Sequence, residues 1–98
     1  MREAVAFTLF YHADIKRDIK RLDVRLKTRI KTAIETRLVA APQHYGKPLK
    51  RTLKGYWKLR VGDYRVVYKI GNREVLILGI IHRKEVYETI EERVKRTA

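Results

Sequence analysis

Lys58, Arg60 and Arg65 stand close together, two before the dipeptide Gly62-Asp63 and one just after it. Strand alternation puts Lys58 and Arg60 on one face of an extended segment. A tight turn at Gly62-Asp63 then brings Arg65 onto the neighbouring strand. Two or three cations on a rigid sheet suit a phosphate, and arginine adds a planar fork of donors. Arg83 and Tyr87 follow the last apolar run, where the chain can lean over the same surface. A tyrosine there can stack on a base or hydrogen-bond a phosphate. Each feature also has a plainer reading: a basic strand can be a solvated face, and the spacing of Tyr87 beside Val86 equally suits half-buried packing. Tyr56, Trp57, Tyr64 and Tyr68 read as packing residues. His12, His44 and His82 fall at a strand end, in a loop and at another strand end, without metal-ligand spacing. Of these, His82 adjoins the cationic set. The acids are scattered, with Glu85, Glu88, Glu91 and Glu92 at solvated helix positions. Gly62 and Gly71 are turn residues rather than parts of a phosphate-binding loop.

The balance of charge agrees with a phosphate partner. The chain has 98 residues and 45% hydrophobic content, which suits one domain over residues 1–98. Its 24 Lys and Arg against 11 Asp and Glu give a net charge of +13. Nucleic acid is the commonest partner of such a chain; a membrane surface and an acidic protein are the alternatives. There is no cysteine. That excludes disulfides, thiolate metal sites and cysteine nucleophiles, and fits the reducing cytoplasm. Met1 to Phe10 lacks the apolar core of a signal peptide, and Val75 to Ile81 is too short to span a bilayer.

The elements that must position these residues can be read from periodicity. Val5 to Tyr11 reads as a first strand. Ile15, Ile19, Leu22, Leu26, Ile30, Ile34 and Leu38 then recur every three or four residues. With Asp23 as an N-cap, two helices follow, Asp14–Leu22 and Val24–Ala40, folded as a hairpin; one bent helix is the alternative. Pro42 to Gly55 reads as a basic surface loop. Three strands come next: Tyr56–Val61, Tyr64–Ile70 and Glu74–His82. The last is apolar on both faces and so central. Val86, Ile90 and Val94 mark a short C-terminal helix. The expected architecture is α+β: a small, mainly antiparallel four-stranded sheet packed on an N-terminal helical hairpin, in the order β-α-α-β-β-β-α.

The segment Leu53-Lys54-Gly55-Tyr56-Trp57-Lys58-Leu59-Arg60-Val61-Gly62-Asp63-Tyr64-Arg65-Val66-Val67-Tyr68 resembles the second and third strands of the RelE/ParE toxin superfamily. His82-Arg83-Lys84-Glu85-Val86-Tyr87 resembles the end of that fold, and the order of elements agrees over nearly the whole chain. The resemblance implies a toxin of a type II toxin–antitoxin pair. RelE-type members enter the ribosomal A site and cut mRNA there without metal; ParE-type members share the fold but act on DNA gyrase by binding. This chain is more similar to the nuclease branch, because Lys58, Arg60, Arg65 and Tyr87 fall where that branch keeps its cleavage residues. Tyr56 stands where the best-known RelE pattern has a lysine. The implied roles are Lys58 as base, with Arg60 and Arg65 on the phosphate. Arg83 serves the leaving group, or His82 takes part of that place. Tyr87 orients the RNA or donates a proton. Arg51, Lys54, Arg60 and His82 are the implied RNA contacts. No cofactor is expected. The implied partners are a cognate antitoxin, mRNA and the ribosome, and no membrane. The antitoxin would bring an acidic or amphipathic segment to the basic surface or displace the C-terminal helix.

Overall fold

The computed structural model describes residues 6–97; Val5, which the sequence assigns to the first strand, lies outside the described residues. Strand β1 covers Thr8–Tyr11 and is followed by helices α1 (Ile15–Ile19) and α2 (Val24–Ala33). The Asp23 carboxylate accepts the Leu26 N–H at 2.8 Å, an N-cap that separates the two helices and bears out the hairpin over one bent helix. From Ile34 to Leu38 the second helix widens into a π-helical turn. The cause lies in the spacing. Ile30, Ile34 and Leu38 are all buried and four residues apart, a step that drifts about 40° around an α-helix. A wider turn keeps all three on the core side.

The segment Pro42–Gly55 departs from a plain surface loop. It holds helix α3 (Pro42–Tyr45), a two-residue strand β2 (Lys47–Pro48) and a 3-10 turn at Arg51–Leu53. Pro42, Leu49 and Leu53 are buried. Then come β3 (Trp57–Val61), β4 (Tyr64–Ile70), β5 (Glu74–His82) and helix α4 (Val86–Thr97). The sheet therefore has five strands rather than four, in the order β1-β5-β4-β3-β2. The extra strand pairs Lys47 with Lys58 and Pro48 with Trp57; an outer edge is where a proline, lacking its N–H, fits a sheet. Among the described residues only β1 and β5 run parallel.

Both faces of the sheet are covered. One packs Leu59, Val61, Val66, Tyr68, Val75, Ile77 and Ile80 against Ile15, Leu22, Ile30, Ile34 and Leu38 of the helical hairpin. The other packs Val67, Leu78 and Ile81 against Leu49, Leu53, Val86 and Ile90. That double cover is why β5 is apolar on both sides, as its sequence implies. Near the middle of β5 the register on β4 passes from Ile77 to Gly79, a β-bulge that leaves Leu78 without a partner. A side chain at Gly79 would stand 2.7 Å from Ile90 Cδ1, so glycine lets α4 lie close on the sheet. Tyr68 is fully buried and donates its hydroxyl to the Pro42 carbonyl at 2.7 Å; burial holds its phenol well above the usual tyrosine range. Among the described residues two charged ones are also buried, Asp18 of α1 and Arg93 of α4, paired to each other. Among the described residues no helix is long and apolar enough to cross a membrane.

Candidate active site

The β3–β4 ladder sets the geometry. Arg60 lies opposite Arg65 and Lys58 opposite Val67. Cross-strand partners share a face, so all three cations lie on the Val67 side, the side α4 covers. Helix α4 leaves part of that face open. There Lys58, Arg65, Arg83, Val86 and Tyr87 line a cleft of about 190 Å³. Four of the side chains implied by the resemblance thus meet in one place.

Each is held by a different device. Arg65 Nη1 donates to the carbonyls of Gly62 and Tyr64, both at 3.0 Å, which folds the guanidinium over the hairpin turn. Burial, followed by the charges of Arg60 and Arg83, holds the Arg65 pKa below the usual arginine value, with Asp63 opposing. An arginine stays charged through such a shift, so the cleft carries a positive field that an anion relieves. Arg83 is brought in by backbone: its N–H donates to the Asp63 carbonyl at 2.8 Å, tying the end of β5 to the β3–β4 turn. The accompanying Arg83–Asp63 ion pair, at 3.6 Å, is solvent-exposed and adds little. Tyr87 projects from the first turn of α4 and accepts the Lys50 N–H at 2.9 Å. Because the hydroxyl is the acceptor in that bond, its own proton stays available to a ligand.

The remaining expected residues lie elsewhere. Arg60 is exposed beside the cleft, and Arg51 and Lys54 are exposed on the segment that leads into β3. Arg51 adopts φ 54°, a strained conformation for a side chain of its kind. His82 pairs with Tyr64 across the ladder, on the hairpin-facing side of the sheet, and its ring meets that tyrosine edge-on at 5.6 Å. It lines a larger cleft of about 630 Å³ between α1 and α4. Of the two candidates for the late position, Arg83 is the one beside Lys58, Arg65 and Tyr87. Sequence reading missed Lys50, which acts through its backbone and leaves no side-chain signal. It also missed Lys69, whose ammonium sits 5.7 Å from the centre of the Tyr56 ring. Strand alternation carried that signal, since Lys69 shares the face of Arg65 and Val67.

A family model described as the ParE toxin of type II toxin–antitoxin systems, parDE, matches residues 9–87. The chain belongs to that family. It lies within the RelE/ParE toxin superfamily, as its relatives agree. It is 42% identical over 48 residues to Toxin RelG of Mycobacterium tuberculosis, covering 47% of this chain and 55% of the relative. It is 44% identical over 52 residues to Toxin RelE of the same organism, covering 51% and 54%. The chain thus spans about half the length of the curated relatives it matches. Among solved structures, the toxin–antitoxin complex RelBE2 from M. tuberculosis contains a chain of TM-score 0.75 and 30% identity, covering 85% of this chain and 98% of that one. A RelB–RelE antitoxin–toxin complex from Methanococcus jannaschii, at TM-score 0.63 and 21% identity, covers 82% and 96% and shares the fold.

Proposed function

We propose that this member of the ParE toxin family is a ribosome-dependent endoribonuclease that cuts mRNA in the ribosomal A site and so inhibits translation. The observation that carries the reading is the single cleft lined by Lys58, Arg65, Arg83 and Tyr87. Lys58 takes the proton of the 2′-hydroxyl. The 2′ oxygen bonds to phosphorus as the bond to the 5′ oxygen breaks, and Tyr87 gives that leaving oxygen a proton. Arg65 and Arg83 stabilise the charge that builds on the phosphorane oxygens, with Arg60 at the rim. The ribosome supplies orientation of the message, so a cleft of about 190 Å³ need not enclose the substrate by itself. A cognate antitoxin with an acidic or amphipathic segment is the proposed protein partner, since a chain of charge +13 offers it a complementary surface. Translation extracts given the protein should contain mRNA cut within codons, mapped by primer extension, and Lys58→Ala with Arg65→Ala should abolish the cuts. An intact message at inhibitory doses would sink the reading.

The matched family model is described as a ParE toxin, and the ParE-type resemblance implies the second reading, a toxin that inhibits DNA gyrase by binding. A supercoiling assay decides between them: inhibition of gyrase, together with toxicity that survives the Lys58→Ala and Arg65→Ala changes, selects the gyrase reading.

A further inference from the structure

Arg93 carries a charge through the apolar side of α4. Val86 and Ile90 pack into the second core, and Arg93, on the same side of the helix, is only 5% exposed. Its guanidinium meets the Asp18 carboxylate of α1 at two points, Nη1 to Oδ2 at 2.8 Å and Nη2 to Oδ1 at 3.0 Å. Nη1 also donates to the Leu78 carbonyl at 2.8 Å; Leu78 is the residue the bulge leaves unpaired on β4. Asp14 Oδ2 lies 3.2 Å from Arg93 Nε and 2.6 Å from Arg96 Nη2. Asp18 in turn accepts the Ile80 N–H at 2.9 Å, three residues past Ile77, where the pairing of β1 with β5 stops. One guanidinium thus joins α1, the bulge of β5 and α4.

A buried pair of this kind adds little net stability, because stripping water from both charges offsets their attraction. What it restricts is geometry. The apolar contacts of Val86 and Ile90 are non-directional and tolerate small slides and rotations of the helix. A two-point fork with a third bond to a carbonyl tolerates neither. Tyr87 lies on the same helix, about 9 Å of rise before Arg93. Its hydroxyl accepts the Lys50 N–H at 2.9 Å, a distance that a slide or rotation of α4 would change.

We infer that Arg93 is a positioning residue: through Asp18 and the Leu78 carbonyl it fixes the height and rotation of α4, and so holds the Tyr87 hydroxyl at the cleft. The structural half of this inference stands alone; its consequence for cleavage rests on the nuclease reading proposed above.

The test places 3-fluorotyrosine in the full chain and follows the fluorine resonance of Tyr87, assigned with Tyr87→Phe. Arg93→Lys keeps the charge and loses the fork, and Asp18→Asn keeps an acceptor and loses the charge. In both, the Tyr87 resonance should shift or split while that of Tyr68, held in the other core, stays. Cleavage at saturating ribosomes should fall about tenfold or more, with the half-saturating ribosome concentration within about twofold of wild type. Added to Tyr87→Phe, either change should lower cleavage by less than about twofold, because both act through one hydroxyl. An unmoved Tyr87 resonance in a folded variant overturns the inference, and so does an undiminished loss in the Tyr87→Phe background. Loss of the native Tyr68 resonance in both variants assigns Arg93 to folding and overturns it too. If the wild type cuts no message, the nuclease reading fails and the Tyr87 resonance alone decides the inference.

Discussion

Removing the hydroxyl of Tyr87 separates stability from chemistry at this cleft. Tyr87→Phe keeps the ring, and with it the packing of the first turn of α4. The change costs one hydrogen bond, from the Lys50 N–H. Lys50 is exposed and Tyr87 is 37% exposed, so water can serve the orphaned amide. The stability loss should lie at the lower end of the hydrogen-bond range, about 0.5 kcal/mol. Against a typical folding free energy of about 5–15 kcal/mol, that leaves the folded population essentially unchanged. A proton donor in the transition state contributes about 10²–10⁴-fold, or about 2.7–5.4 kcal/mol. The two effects therefore differ by about fivefold or more in free energy. Urea denaturation reads the first, and single-turnover cleavage of ribosome-bound mRNA reads the second. The expected pair is a nearly unmoved midpoint with cleavage down at least about a hundredfold. Cleavage within about threefold of wild type would refute the proton-donor role.

Three further outcomes follow from other parts of the molecule. Gly46→Ala would put a Cβ 1.7 Å from the Tyr68 hydroxyl and 3.1 Å from the Lys58 carbonyl. It should cost about 1–3 kcal/mol in urea denaturation, and less in a Tyr68→Phe background, where the clashing oxygen is gone. The hydrogen bond from Arg96, then the charges of Arg93, Arg96 and Arg17, hold the Asp14 pKa below its ordinary value against the opposing effect of burial. The stability it supplies is present above the unfolded carboxylate pKa of about 3.9 and is lost as pH falls through the lower folded value. Asp14→Asn should flatten that acid limb in melts taken across the range. Arg51→Gln and Lys54→Gln should each weaken RNA binding without changing sequence preference, and each should reduce the salt slope by about 1.

Strand alternation carried most of what the sequence could say about the site. It set Lys58 and Arg60 on one face and Arg65 on the neighbouring strand, and the register of β3 on β4 then puts Arg65 opposite Arg60. The same counting separates His82 from Ile81 and groups it with Ile80, the face where its ring meets Tyr64. What escaped was irregular. A two-residue strand such as Lys47–Pro48 has no period to detect. Pro42, Leu49 and Leu53 are buried at uneven spacing within a basic stretch. The Asp18–Arg93 pair did leave a trace: Asp18 falls between Ile15 and Leu22, and Arg93 between Ile90 and Val94, each on an apolar stripe. Opposite charges inside two stripes signal a buried pair, though not which elements it joins. The bulge at Leu78 is invisible in an apolar run where every residue looks alike. The Lys50 amide cannot be read from side chains at all.

The parallel pairing of β1 with β5 joins Thr8 to Glu74, whereas β3, β4 and β5 follow one another through short turns. Closing the long loop is the costlier step in chain entropy. The three-strand meander is therefore expected to form before β1 docks. Substitutions in β3 and β4 should slow folding, and those in β1 should mainly speed unfolding, which stopped-flow kinetics can separate. Lys58 and Arg65 belong to the meander. On that order the cationic floor of the cleft forms with the folding nucleus, and changes made there to test chemistry should also alter how fast the chain reaches its native state.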